Sequence, residues 1–257
     1  MRSLLLAGAL LLPLLPSAFA APAVPNLAFP EPMASWDAAT LARQREAATD
    51  LVKKLQAAVA RGEKTFSVPP GDYRFDPSGT ASFQLRGVNG LTLEAKGATF
   101  WLYPFQRLDG VLLDRCRNVT LRGLQLDYWP ACYPQGVIDA VDAKGGFIDF
   151  TLSPGFPGPF EVPSRQVNAK LAHYDRDGNL LENRLDWVKS VEEIAAGRYR
   201  VRPKGGWAFA NPLIVPGTLL ALADRTQRMA VNLQNCADCT LEDVAVYASP
   251  HMGFVEA

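Results

Sequence analysis

Residues 116–126 read CRNVTLRGLQL, and this stretch decides the fold. An earlier copy, VNGLTL, begins at Val88, and a later copy, CADCTL, begins at Cys236. The three copies share an apolar residue, two turn-compatible residues, a second apolar residue, Thr and Leu. Such self-similarity is typical of a solenoid, in which each unit buries its face only against its neighbours.

The alignment extends in both directions from this motif and joins apolar residues at alternate positions. The aligned sets are Phe83, Val111 and Val231; Leu85, Leu113 and Leu233; and Ala98, Leu126 and Val246. A period of two indicates β-strands. Gly90, Asn118 and Asp238 share one position between two short strands, where a left-handed bend suits these residue types. Because the copies lack a regular helical segment, the pattern favours a β-helix over a leucine-rich repeat.

Length, composition and charge limit the classes of function. The chain has 257 residues and 48% apolar content, which is enough for a substantial core. Lys+Arg and Asp+Glu both number 26, and no basic tract is present, so we expect no nucleic-acid partner. The 20 glycines and 20 prolines favour many turns and short strands.

The N-terminal residues have the pattern of a secretory signal peptide at 1–20. Arg2 precedes an apolar run, and Ala18-Phe19-Ala20 matches a cleavage site. The alternative is a membrane anchor, but the run at 4–15 is shorter than the roughly 20 residues that span a bilayer and contains Pro13. We therefore expect a secreted or periplasmic bacterial protein with no membrane span after signal cleavage.

The chain divides into successive segments. Residues 21–36 form a proline-rich extended lead-in, and residues 37–62 form a helix with Ser35 or Asp37 as the N-cap and Gly62 after its end. This helix is expected to cover the apolar end of the stack. The first coils occupy 63–128, an inserted β-rich domain occupies 129–224, and the coils resume at 225–257.

The insertion is measured by the repeat itself. Val88 and Cys116 are 28 residues apart, whereas Cys116 and Cys236 are 120 apart. A hairpin is predicted around 143–146, with further strands at 170–174, 198–202 and 218–223, so we expect a small β-barrel. The segment 175–179, DRDGN, resembles the start of a calcium loop, but Asp186 stands where that loop needs Glu, which favours a β-turn.

Four cysteines occur, at Cys116, Cys132, Cys236 and Cys239. The last two form a CxxC that is compatible with a redox motif or half a zinc site, but no second CxxC exists and the chain has only two histidines. The repeat favours small buried hydrophobes, with a Cys116–Cys236 bridge as an open alternative. No metal or cofactor is predicted.

Several motifs carry a resemblance to known proteins. The segments PPGDYR at 69–74, GAT at 97–99 and the NVTL motif resemble the right-handed parallel β-helix proteins of the pectin lyase-like superfamily. A closer similarity comes from LDYWP at 126–130, QGV at 135–137 and CTLEDVAVYASP at 239–250. These look like bacterial β-helix glycoside hydrolases related to the α-1,3-galactosidases of glycoside hydrolase family 110.

The resemblance covers about residues 60–257 and implies both fold and activity. It implies an all-β, right-handed parallel β-helix with an N-terminal capping helix and an inserted β-barrel-like domain. It also implies that the catalytic carboxylates lie on later coils, beyond Ala257. On this interpretation the chain is an N-terminal fragment that is inactive alone.

Few residues have the pattern of a catalytic set. Glu242 and Asp243 are adjacent, so on a strand they face opposite sides and cannot form a hydrolytic pair. Asp127 aligns with Tyr247 rather than with another acid. Glu256 aligns with the inward Leu233, which indicates either a polar site residue or a shift of register.

The candidate substrate-binding residues are His251, Glu256 and Trp129. His251 follows a Ser-Pro bend, where it contacts substrate at a groove edge or bonds to backbone as a loop histidine. The aromatic candidates for stacking on sugars are Trp101, Tyr103, Tyr128 and Trp129. The alternative for these aromatics is packing between the solenoid and the barrel.

The leading functional hypothesis is therefore the N-terminal part of a secreted glycoside hydrolase that acts on an oligo- or polysaccharide containing galactose. The first alternative is a polysaccharide lyase or epimerase on the same scaffold. The second is a non-catalytic glycan-binding solenoid.

Overall fold

The computed structural model describes residues 36–76, 81–104, 108–161, 169–181, 186–223, 229–249 and 253–256. The predicted signal peptide, the lead-in before Trp36 and the candidate His251 lie outside these ranges. Among the described residues, no helix is both long and apolar enough to cross a membrane.

Three parallel sheets, each of four strands, form the larger part of the fold. The first sheet contains β1 (Thr65–Ser67), β4 (Asn89–Glu94), β7 (Arg117–Arg122) and β16 (Thr240–Glu242). The second contains β2 (Gly71–Phe75), β5 (Ala98–Leu102), β8 (Gln125–Tyr128) and β17 (Ala245–Val246). The third contains β3 (Ala81–Arg86), β6 (Asp109–Asp114), β15 (Val231–Gln234) and β18 (Phe254–Glu256).

Successive strands enter the first, second and third sheets in turn, and we call each such circuit a coil. Among the described strands, only those within residues 135–223 interrupt this order. The predicted all-β class is confirmed. The neighbouring coils bury one continuous apolar core, in which Leu93, Leu113 and Leu121 are almost fully inaccessible.

The strand register agrees with the sequence alignment at most positions. Leu91 pairs with Val119 and Leu93 with Leu121, one coil apart. The same holds across the insertion, where Val111 pairs with Val231. In the next coil, Phe254 pairs with Val231.

One aligned set is wrong. The alignment joins Ala98 to Leu126, but Phe100 is the residue that pairs with Leu126. The turn after β4 is longer than the turn after β7, because Glu94 pairs with Arg122 whereas Thr99 pairs with Gln125. The shift is an even number of residues, so the inward face is preserved and the error was invisible in the hydrophobic pattern.

The left-handed backbone predicted at Gly90, Asn118 and Asp238 is confirmed, and these residues lie at or just before the start of the strands of the first sheet. The φ angles are 71° at Gly90, 50° at Asn118 and 54° at Asp238. A second left-handed set, three residues earlier, was not predicted: Gly87, Arg115 and Asn235 have φ angles of 62°, 54° and 52°. Arg rarely adopts a left-handed backbone, so the presence of Arg115 made this second set of bends hard to recognise in the sequence.

The helix α1 (Ala38–Ala60) covers the end of the core, as the sequence predicted. Asp37 is its N-cap, and the Asp37 carboxylate accepts a hydrogen bond of 2.6 Å from the amide of Thr40. Gly62 follows the helix with a φ of 74°, which fits its predicted role. The buried face of α1 includes Leu51 and Leu55.

The insertion is a closed barrel of six strands, which confirms the predicted barrel. Its strands are β9 (Gln135–Asp142), β10 (Phe147–Leu152), β11 (Lys170–Tyr174), β12 (Asp186–Ala195), β13 (Arg198–Pro203) and β14 (Leu219–Ala223), and α2 (Trp207–Ala210) is a short helix between the last two. The barrel has its own core, which includes Phe150 and Leu171. The strand β12 was not predicted, because two bulges and its acidic residues disturb the alternation.

The segment at 175–179 is a turn, as expected. The Asp175 carboxylate accepts hydrogen bonds from the amides of Asp177 (2.9 Å) and Asn179 (2.8 Å). These bonds lower the pKa of Asp175, the contacts with Asn179 most. In the described part of the chain, no group of three or more His, Cys, Asp or Glu residues is arranged to hold a metal.

All four cysteines are free thiols, so the open alternative of a Cys116–Cys236 bridge is not realised. The Cys116 thiol donates to the carbonyl oxygen of Leu85 (3.5 Å), and the Cys236 thiol donates to that of Leu113 (3.4 Å). The two thiols thus occupy equivalent positions one coil apart. Burial raises the pKa of the Cys116 thiol, which fits the predicted role of a small apolar residue.

Candidate functional site

The second sheet presents an outward surface that we call the aromatic face: Arg74, Trp101, Tyr103, Asp127 and Trp129. Alternation along the strands produces this surface, because Tyr73, Phe100 and Tyr128 point into the core and the residues between them point outward. Arg74 lies beside Trp101, and Trp101 lies beside Asp127, in register across three strands.

Trp36 packs on this face from the residue preceding the N-cap of α1. Its ring lies 4.6 Å from the Trp101 ring, centroid to centroid, at an interplanar angle of 88°. It also lies 6.0 Å from the Trp129 ring at 25°, a stacked arrangement. The Trp101 indole N–H donates to Asp72 at 2.8 Å, which fixes the orientation of that ring.

Arg74 supports the aromatic face from beneath. Its side chain is only 3% exposed, and its Nε lies 3.3 Å from an oxygen of Asp76. The guanidinium carbon is 4.3 Å from the centre of the Trp129 ring, a cation–π contact. Burial lowers the pKa of Arg74, and Asp76 opposes that shift. Arg74 therefore positions Trp129 and is not available to bind a solute.

Asp127 is the carboxylic acid of the aromatic face. Burial raises its pKa from 3.8 to about 6, although the amide of Tyr128 donates a hydrogen bond of 2.8 Å to its carboxylate and opposes the shift. Its neighbours across the sheet are Trp101 and, by the hydrogen bond from the Tyr247 amide to the Leu126 carbonyl, Tyr247. A carboxyl with this pKa can donate a hydrogen bond or a proton near neutral pH.

The outward surface of the first sheet is different, and we call it the charged face: Glu94, Arg122 and Glu242. These residues also lie in register across three strands. Arg122 bonds to Glu94 and, at 2.8 Å, to Glu242, and the three side chains are 34–47% exposed. Each charge of this surface therefore has an opposite neighbour and contact with solvent.

The predicted site residues have different outcomes. Trp129 lies on the aromatic face, as a stacking residue requires. Glu256 pairs in register with Leu233, so the alternative of a register shift is wrong, and it lies on the third sheet rather than on the aromatic face. His251 lies outside the described residues.

Among the aromatic candidates, Tyr128 is wrong. Its side chain is 3% exposed and belongs to the core, so it cannot stack on a ligand. Trp101 and Tyr103 point outward. Sequence reasoning missed Trp36, Arg74 and Asp127; the signal for Arg74 and Asp127 was that each stands between two inward residues of a strand.

His173 is a buried titratable group of the barrel. It is fully buried on β11 of the barrel, and neither ring nitrogen has a hydrogen-bond partner among the described residues. Burial lowers its pKa to about 4, so the imidazole is neutral at neutral pH. It lies in another domain from the aromatic face and adds no chemistry there.

No protein-family profile and no curated protein matches the sequence of this chain.

Proposed function

We propose that this chain is the glycan-binding part of a carbohydrate-active protein, with the aromatic face as its binding surface. We further propose that the coils form a right-handed parallel β-helix. The sequential entry of the strands into three parallel sheets supports that architecture. The observation that carries the functional proposal is the row of Trp101 and Asp127 beside Trp129 on one outward sheet.

A sugar ring suits such a surface because it is amphipathic. Its C–H faces stack on aromatic rings, while its hydroxyl groups need hydrogen-bonding partners at the edge. Trp101 is held by Asp72, and Trp129 is held by Arg74. Rings that are fixed before binding lose little side-chain entropy when a ligand arrives.

The substrate class that we propose is a galactose-containing glycan, on the strength of the motif resemblance. Hydrolysis needs two carboxylates, about 5–5.5 Å apart for retention or 6.5–9.5 Å apart for inversion. Asp127 supplies one protonatable carboxyl, and its neighbours across the sheet are aromatic. The chain alone is therefore expected to bind glycan without cleaving it. Export, from the predicted signal peptide, is part of the same proposal.

A calorimetric titration with galactotetraose tests this proposal. We expect saturable binding by the parent chain and at least a roughly tenfold loss of affinity in Trp101→Ala, because a stacking surface is removed. Arg122→Ala, on the charged face, is the matched control and should keep the parent affinity. Equal affinity in Trp101→Ala, or no binding by any form, would contradict the proposal.

An aryl-galactoside assay on the same preparations separates binding from turnover. We expect no release of the aryl group by the parent chain. Turnover that is lost in Asp127→Asn would instead make Asp127 a catalytic residue and overturn the purely binding role.

A further inference from the structure

Trp36 contacts both of the rings on which, under the proposed function, a sugar would stack. Its ring stacks on the Trp129 ring with 6.0 Å between the centroids, and it meets the Trp101 ring in a T-shaped contact with 4.6 Å between the centroids. A ligand that stacks on both rings must therefore compete with the Trp36 indole.

Little else in the described structure fixes Trp36. It precedes the N-cap Asp37, and the backbone bonds of α1 begin with the Leu41 amide donating to the Asp37 carbonyl at 3.0 Å. Its contacts with Trp101 and Trp129 are ring contacts, which are individually weak and reversible. The two rings beneath it are anchored differently, since Asp72 bonds to Trp101 and Arg74 underlies Trp129.

We propose that Trp36 is an autoinhibitory cover of the aromatic face, which a glycan displaces when it binds; this inference rests on the proposed function. The closed state is the one in which Trp36 stacks on Trp129. In the open state the anchored rings keep their positions and the indole of Trp36 is exposed. A ligand whose affinity differs between the two states shifts their populations.

The test compares galactotetraose affinities of the parent, Trp36→Ala and Trp101→Ala by calorimetry. A cover predicts that Trp36→Ala binds about fivefold or more tightly than the parent, since one ring-stacking interaction no longer competes. Trp101→Ala should bind more weakly. The matched control is Trp187→Ala, which removes an indole that is 40% exposed on the barrel and should leave the affinity unchanged.

The possible outcomes separate this inference from the proposed function. Tighter binding by Trp36→Ala than by the parent, together with weaker binding by Trp101→Ala, would support both. A loss of affinity in Trp36→Ala similar to that in Trp101→Ala would make Trp36 part of the binding surface and overturn the cover, while the proposed function stands. No binding by any of the forms would overturn the proposed function, and the cover with it.

Circular dichroism checks that each variant is folded, and Trp36→Leu repeats the measurement with a side chain that keeps apolar bulk.

Discussion

The charged face and the aromatic face are built on neighbouring sheets of the same coils, yet they differ in how their charges are solvated. On the charged face, Arg122 lies between Glu94 and Glu242, and all three side chains reach solvent. On the aromatic face, the cation Arg74 is buried and the acid Asp127 is desolvated enough to hold a proton near pH 6.

This difference favours a binding role for the aromatic face, as we propose above. Exposed, matched charges contribute little to stability and help to keep an outward sheet surface soluble. A desolvated acid beside anchored aromatic rings costs folding free energy when it ionises, and such sites are enriched in binding and catalytic functions. Substitutions on each face test this difference between the two surfaces.

The largest expected effect is the loss of Arg74. Arg74→Ala removes a buried side chain from beneath Trp129 and should lower the free energy of unfolding by about 2–4 kcal/mol. Arg74→Met keeps most of the aliphatic volume and should recover part of that loss. Urea unfolding followed by circular dichroism measures both. A loss below about 0.5 kcal/mol for Arg74→Ala would mean that the contact of Arg74 with Trp129 contributes little to the stability of the fold.

The next effect depends on pH. The pKa of Asp127 is about 6 when folded, against an ordinary value of 3.8, so the folded state binds the proton more tightly. Stability from this group is fully present below about pH 4 and is lost as pH rises through 6. Asp127→Asn should therefore be more stable than the parent by about 1–2 kcal/mol at pH 7.5, after discounting for partial exposure, and nearly equal at pH 4.

Glu242→Gln, on the charged face, is the matched control for Asp127→Asn. It should be slightly less stable than its parent at pH 7.5, the opposite sign. His173 adds a pH dependence of its own, because its folded pKa of about 4 removes stability as pH falls from 6.5. Differences between parent and variant at each pH cancel that contribution. If Asp127→Asn and Glu242→Gln changed the free energy of unfolding in the same direction at pH 7.5, the proposed difference between the two faces would be wrong.

The smallest effect concerns Arg122 itself. Arg122→Ala should lower the free energy of unfolding by less than about 1 kcal/mol in low salt, because its ion pairs are exposed. In 1 M NaCl the remaining difference should nearly disappear, since the screening length there is about 3 Å. A loss of several kcal/mol that does not depend on salt would show that Arg122 contributes as much to the free energy of unfolding as Arg74 does.

The coils could be predicted because each inward position repeats. Phe83, Val111 and Val231 occupy one position in the alignment and pair in register in the sheet. The left-handed bend at Asn118 was equally accessible, because its residue type and its repeated position agree. The length of the turn before β5 could not be predicted, since a shift of two residues leaves the hydrophobic alternation unchanged.

The candidate site was harder to predict because its chemistry depends on neighbours in space. Trp129 was recognised by its residue type. Asp127 aligns with no other acid, and only its burial between strands gives it an unusual pKa. Trp36 lies far from Trp101 in sequence, and no periodic pattern connects a residue before a helix with a sheet surface. Tyr128 was misassigned because type alone does not separate inward from outward aromatics.

The most direct test of the central claim uses the five tryptophans of the chain as reporters. Trp36, Trp101 and Trp129 lie on the aromatic face, and Trp187 and Trp207 belong to the insertion. Indole N–H signals recorded by NMR during titration with galactotetraose should shift for the first three and remain unchanged for Trp187 and Trp207. Shifts confined to Trp187 and Trp207, or no shift at saturating glycan, would contradict the assignment of the aromatic face as a glycan-binding surface.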